Sequence, residues 1–137
     1  MTEVKRATKE LLNSPLLAES LNPQLTEFLI YNQSLGSIVN CILLGDLAVG
    51  YCLYSIENNS LSININSRFQ NQGLGYILGT KTVEDVFNQN KGEKIEITTL
   101  IGRPSNALAL KMGFKEISRT EKEIFYKLSK SEFLNII

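Results

Sequence analysis

The sequence predicts an α+β domain on a mostly antiparallel sheet, with the element order ααβββαβαββ. Three observations carry that prediction. Apolar residues near helical spacing dominate the first third; short β-rich runs divided by turn signals follow. One long amphipathic segment stands between two of those runs, which implies a single parallel crossover. At 137 residues, 43% of them hydrophobic, the chain is sized for one domain over residues 1–137, whose core needs no disulfide or metal staple.

Residues 5–17 place Ala7, Leu11, Leu12 and Leu16 near helical spacing, and Asn22-Pro23 is a start signal for a second helix through residue 30. Leu25, Phe28 and Leu29 are its expected buried stripe. Residues 37–44 and 47–56 are β-rich runs separated by Gly45-Asp46, which is hairpin punctuation. With those two residues as the loop, Cys41 faces Gly50 and lies diagonal to Cys52, about 7–8 Å across one face and too far for a disulfide. Both cysteines read as small buried hydrophobes. After a turn at residues 57–60, Leu61, Ile63 and Ile65 alternate with Ser62, Asn64 and Asn66, the pattern of a half-buried strand. Residues 73–88 suit a helix packed on a sheet through Leu74, Ile77, Leu78, Val83, Val86 and Phe87. A strand over 94–101, a short helix over 104–112 closed by Gly113, and a hairpin over 114–128 turning near Thr120 complete the order. Residues 129–137 read as a short tail.

Composition excludes several functions. Fourteen Lys+Arg against fourteen Asp+Glu give a net charge of zero, so the attraction to phosphate backbones that nucleic-acid binders rely on is missing. With no histidine, the chain hosts no Ser-His-Asp or Cys-His nucleophile and lacks the commonest zinc ligand. Chemistry must come from carboxylates, Tyr, Lys, Cys or backbone groups, without metal. No apolar run nears 18 residues and no signal-peptide pattern opens the chain, so the expected setting is cytoplasmic, with no membrane partner.

The most informative stretch is Ile65-Asn66-Ser67-Arg68-Phe69-Gln70-Asn71-Gln72-Gly73-Leu74-Gly75, which joins a strand to a helix amino terminus. Glycines there let a phosphate or pyrophosphate approach the unpaired first amides of the helix, at the positive end of its dipole. Two phosphate-binding patterns fail. Counted from Gly75, the Walker A slots hold Thr80, Lys81 and Thr82, so the last glycine is absent; in GxGxxG, Leu78 occupies the third slot and Gly79 falls one residue late.

Gln70-Asn71-Gln72-Gly73-Leu74-Gly75 fits a third pattern, Q/R-x-x-G-x-G/A, and here the chain resembles the GNAT family of acyl-CoA-dependent N-acyltransferases. The context agrees: a strand reaches Ile65 five residues before Gln70, SNALALKMGF from Ser105 to Phe114 looks like the family's second motif, and GDLAVGY from Gly45 to Tyr51 looks like its preceding strand pair. The resemblance spans about residues 37–128. It implies a three-layer fold, a mixed sheet flanked by helices, and N-acetyl transfer from acetyl-CoA to an amine of a protein or small molecule. It implies that the amides of Gln72, Gly73, Leu74 and Gly75 hold the pyrophosphate of coenzyme A, with Gln70, Asn71, Tyr76 and Ser105 beside it. The strand near Ile65 and Ser67 would pair with the pantetheine arm as if it were an added strand. Arg68, Lys81, Arg103 and Lys111 lie in or beside the motifs as phosphate partners or as plain surface charges.

The sequence departs from the family at the catalytic groups. Anchored on Gly113-Phe114, Gly102 stands in the slot of the family's asparagine and Ala109 in that of its tyrosine acid; anchored instead on Asn106, Gly113 falls in the tyrosine slot, so neither register supplies the acid. The nearest carboxylates for a base are Glu57 and Glu96. Of the tyrosines, Tyr51 and Tyr54 have opposite parity on one strand, so one belongs to the core and the other to the acceptor side, while Tyr126 lies on the last hairpin. Two rival readings follow: a non-catalytic acyl-CoA-binding module that has lost acid and base, and a partner-binding α+β protein whose glycine turn is architectural. The acceptor is a protein α-amine, a lysine, a polyamine or a small amine, and a homodimer through sheet edges is expected.

Overall fold

A computed structural model describes residues 2–136. The chain enters the sheet at once: β1 (Thr2–Arg6) stands where the expected first helix begins, running antiparallel to β2 (Ile38–Leu44) with Val4 opposite Ile42. β1 is an edge strand with one half-buried residue, so it carries almost no hydrophobic alternation. Pro15 divides the rest of that expected helix. Lacking an N–H and clashing with the preceding turn, it ends α1 (Lys9–Leu12) and opens α2 (Pro15–Ala18) at its first position. α3 (Pro23–Ser34) starts where Asn22-Pro23 predicts, with the Asn22 side chain accepting from Leu25 N–H at 2.7 Å, and runs one turn past residue 30. Its expected stripe is only partly right. Leu29 is buried, but Phe28 is 50% exposed while Thr26 and Asn32 turn inward.

Among the described residues seven strands lie in the order β1-β2-β3-β4-β5-β7-β6, with β3 (Leu47–Ser55), β4 (Ser60–Ile65), β5 (Lys94–Leu100), β6 (Lys115–Arg119) and β7 (Glu123–Ser129). Every pairing is antiparallel except β4 with β5, the expected crossover through α4 (Leu74–Asn88). α5 (Pro104–Lys111) follows β5. The expected tail forms α6 (Lys130–Ile136), started by a capping box: Glu132 accepts from Ser129 N–H at 3.0 Å and Ser129 Oγ accepts from Glu132 N–H at 3.2 Å. Phe133 then packs on Phe87, ring centres 5.2 Å apart.

The sheet separates two cores. Ala7, Leu12, Leu17, Leu21 and Leu29, from the first three helices and the segments beside them, pack on Val39, Cys41, Leu43, Tyr51 and Leu53. On the opposite face, Leu78, Val83, Val86 and Phe87 of α4, Met112 beside α5 and Phe133 of α6 pack on Ile38, Ile42, Cys52, Tyr54, Ile95, Ile97, Tyr126 and Leu128. The expected hairpin register holds only at its tip. Leu43 faces Ala48, but Ile42 faces Gly50, so Val49 is an extra, bulged residue and Cys41 faces Tyr51. The one-residue slip puts Cys41 and Cys52 on opposite faces, and burial pushes both thiols up to about 12. Parity alone splits the tyrosines, Tyr54 to the α4 side and Tyr51 to the other.

α4 is fixed against the sheet by a buried polar contact. Asn40 Nδ2 donates to Thr82 Oγ1 at 3.0 Å and to Asp85 Oδ2 at 3.1 Å, which sets the helix whose amino terminus carries the glycine turn. Among the described residues no helix is long and apolar enough to cross a membrane, and no group of His, Cys, Asp and Glu is placed to hold a metal ion.

Candidate functional site

β4 is paired along its whole length on one edge and almost not at all on the other. Six residues, Ser60 to Ile65, face β3; toward β5 the only opposed pair is Ser60 with Glu96, after which the strands diverge. Glu96 N–H donates to Asn59 O at 2.8 Å, so the backbone groups of the odd residues Leu61, Ile63 and Ile65 point toward β5. Asn66 N–H bonding Val49 O at 2.8 Å fixes the even residues toward β3. The same alternation on β5 turns the backbone of Thr98 and Leu100 into the gap, since Ile101 N–H is taken by Lys122 O on the β7 side.

A cleft of about 680 Å³ fills this opening. Its floor is apolar, from Leu61, Ile63, Ile65, Ile97, Leu108 and Met112, and its open end is the glycine turn. Asn71 at φ 63° and Gly73 at φ 78° both take left-handed backbone, which folds the turn back so that the unpaired first amides of α4 open onto the cleft. The two glycines do different work. A Cβ on Gly73 would meet nothing within 4 Å, so Gly73 serves conformation and clearance, whereas a Cβ on Gly75 would stand 3.1 Å from Leu108 Cδ2, so Gly75 also lets α4 approach α5. Gln70 closes the loop by donating from Nε2 to Ile65 O at 3.1 Å.

Of the residues singled out in the sequence, Ile65, Gln70, Asn71, Gly73, Leu74, Gly75, Tyr76 and Ser105 line the cleft together. Ser67 and Gln72 do not; Ser67 starts a single 3₁₀ turn, Ser67–Phe69, of which Phe69 reaches the cleft. The four cations divide two and two. Arg103 and Lys111 line the cleft, Lys111 Nζ lying 4.7 Å from the centre of the Tyr76 ring. Arg68 instead pairs with Glu19 at 3.1 Å and Lys81 with Asp85 at 3.1 Å, which raises the Lys81 pKa through hydrogen bonding and charge.

Among the described residues, no carboxylate lines this cleft. Glu57 is exposed in its turn, and Glu96 sits where β4 and β5 part, 3.9 Å from Lys94. Glu96 lines a second groove of about 340 Å³, with Ile97, Thr98, Ile117, Ser118, Phe125 and Tyr126. Ile97 and Thr98 belong to both hollows, so β5 is the wall between them.

Sequence reasoning missed the role of Asn106. Its Oδ1 accepts from the Thr99 hydroxyl and, at 2.9 Å, from Tyr126 Oη, while its Nδ2 donates to Leu100 O at 2.8 Å and Arg103 O at 3.0 Å. One side chain thereby ties the end of β5 to α5 and β7 and occupies the Leu100 carbonyl that faces the gap. Gly102, in the family's asparagine slot, is a left-handed turn residue at φ 84°. Ala109 is buried against the core. Tyr126 is also buried, so its hydroxyl serves packing and not an open acceptor surface.

No family model matches the chain, and no curated protein matches it in sequence. Solved structures match it closely in shape. The Salmonella typhimurium protein yncA, determined with its cofactor acetyl-CoA, is 14% identical over 94% of either chain with a TM-score of 0.76. The ribosomal-protein-alanine N-acetyltransferase of Brucella melitensis is 17% identical, covering 93% of this chain and 99% of its own, with a TM-score of 0.74. The ribosomal-protein-S18-alanine N-acetyltransferase of Escherichia coli is 14% identical over 94% of either chain, with a TM-score of 0.73. At such identities the likeness is one of architecture. The strand splay, the glycine turn and these structural matches together give the chain the fold of the GNAT N-acetyltransferases.

Proposed function

We propose that this chain is an acetyl-CoA-dependent N-acetyltransferase acting on an amine. The observation that carries the reading is the splay itself: a strand edge left unpaired beside an apolar cleft that ends at a helix amino terminus. Those parts fit the three chemistries of coenzyme A. The amides of Gly73 to Tyr76 suit its pyrophosphate, with Arg103 and Lys111 beside them for the remaining phosphate charge. The backbone groups of Ile63 and the N–H of Ile65, whose carbonyl Gln70 occupies, suit the amides of the pantetheine arm, as an added strand would.

Acetyl-CoA supplies a thioester whose acyl group passes directly to the amine, the C–N bond forming as the C–S bond breaks, with no acyl-enzyme. The chain's own part is positioning, which accounts for several kcal/mol of the barrier in well-oriented reactions, about 7 or more. Glu96 takes the ammonium proton, directly or through one water, because it lines the groove on the far side of β5 and Glu57 lines neither hollow. With Ala109 in the acid slot, the departing thiolate takes its proton from water.

Calorimetric titration with acetyl-CoA, with ATP and NAD as controls, tests this. Binding that disappears in Gly75→Glu supports the reading, and no binding to folded protein overturns it. Ala109 favours one rival, a non-catalytic acyl-CoA-binding module. That rival requires acetyl-CoA binding with no thiol release across a broad amine panel.

A further inference from the structure

The groove around Glu96 lies on the part of the sheet that no helix covers. The core built by α1 to α3 contains residues of β2 and β3 but none of β5, β6 or β7, while α4, α5 and α6 pack on the opposite face. Thr98, Ile117 and Ser118 are therefore exposed and Glu96 and Phe125 half-buried, with Ile117 lifted outward at a bulge between Glu116 and Ser118 and 52% exposed. Among the described residues the lining holds one charge, the Glu96 carboxylate, set among apolar Ile117 and Phe125 and the hydroxyls of Thr98 and Ser118.

That carboxylate is bracketed by cations. Lys94 precedes it by two residues on the same face, 3.9 Å away, and Lys127 is its direct cross-strand partner on β7. Cβ atoms of such a pair stand about 4.5–5.5 Å apart. Glu123, opposite Leu100, shares the face but does not line the groove. One ammonium is attracted to Glu96; a second, a few bonds along the same molecule, meets Lys94 or Lys127.

Resting on the acetyltransferase reading, we infer that the acceptor is a monoamine: a single ammonium carried on an apolar body, held by Glu96 with the apolar part against Ile117 and Phe125. Polyamines and lysine-rich peptides are rejected by the flanking lysines. The chemistry is shared by two sources, the α-amine of a peptide with apolar leading residues and a small aryl-alkyl amine.

The test measures acetyl transfer from acetyl-CoA to phenethylamine, to a tripeptide amide with apolar residues, and to spermidine, after calorimetry has established acetyl-CoA binding. At least one monoamine is expected to exceed spermidine in kcat/KM by about tenfold, as befits partly exposed charges, and the better of the two identifies the source. Lys127→Glu should narrow that ratio, and Glu96→Gln, which removes both the anion and the base, should lower kcat/KM for the monoamine at least about tenfold. Spermidine used as well as either monoamine, an unchanged ratio in Lys127→Glu, or no transfer to any amine by protein that binds acetyl-CoA overturns the inference. Absence of acetyl-CoA binding overturns the acetyltransferase reading beneath it.

Discussion

The two edges of β4 share one backbone and differ in everything that follows from pairing. Toward β3 the register runs from Ser60 to Ile65 without interruption, against a strand buried from Ala48 to Ser55; toward β5 one pair closes the sheet and the rest of the edge faces a cleft. An unpaired strand edge away from bulk water is costly, so it persists only where solvent or a ligand supplies the missing partners. Cohesion sits on one edge and recognition on the other. The sheet holds the opening apart because Asn106 ties the end of β5 down to α5 and β7, away from β4.

Amide exchange along β4 gives the largest contrast. Ser62 and Asn64, directed to β3, should exchange at least about a hundredfold more slowly than Ile63 and Ile65, a difference near 3 kcal/mol in opening free energy. Saturating acetyl-CoA should then slow Ile63 and Ile65 selectively; uniform rates along the strand would end the two-edge account. Next in size, Gly73→Ala forces a side chain into φ 78°, and chemical denaturation should show a loss of about 1–2 kcal/mol. Gly73→Asn, which tolerates that conformation, should recover part of it. Smaller again, Arg103→Ala and Lys111→Ala should each weaken acetyl-CoA about fivefold, in a salt-dependent way, and leave acetyl-pantetheine untouched. Arg68→Ala and Lys81→Ala, outside the cleft and already paired, should not.

The smallest effect is on the covered face. The Lys115 side chain, with Ser129, holds the Glu132 carboxyl down to about 2. A depressed carboxylate stabilises the fold above its ordinary value near 4.5 and loses that contribution as pH falls toward 2. Exchange protection in α6 should therefore decline across that window, and Glu132→Gln should flatten the decline.

Most of the central architecture was legible because each element carries its own punctuation. Asn22-Pro23, Gly45-Asp46, Gly73 and Gly113 mark boundaries that the structure keeps to within a residue or two. The ends were not. β1 has one inward residue, too few for a period, and Pro15 sits inside an apparently helical pattern that it breaks. α6 had a readable signal, the Ser129-x-x-Glu132 capping box. In the site, the turn was readable because its chemistry is local: amides, glycines and a helix start within ten residues. The division of the four cations was not, since Glu19 and Asp85 reach Arg68 and Lys81 from other elements.

By itself the sequence determined the strand and helix inventory from residues 37 to 128, the parallel crossover, the glycine turn and the absence of histidine chemistry, all consequences of local propensity and composition. Tertiary structure decided the rest. A single bulged residue at Val49 sent Cys41 and Cys52 to opposite faces, and divergence of β4 from β5 after one pair created the cleft. Neither is encoded in a period or a motif. Both depend on how neighbouring strands are held, and a one-residue change in pairing reassigns every side chain beyond it.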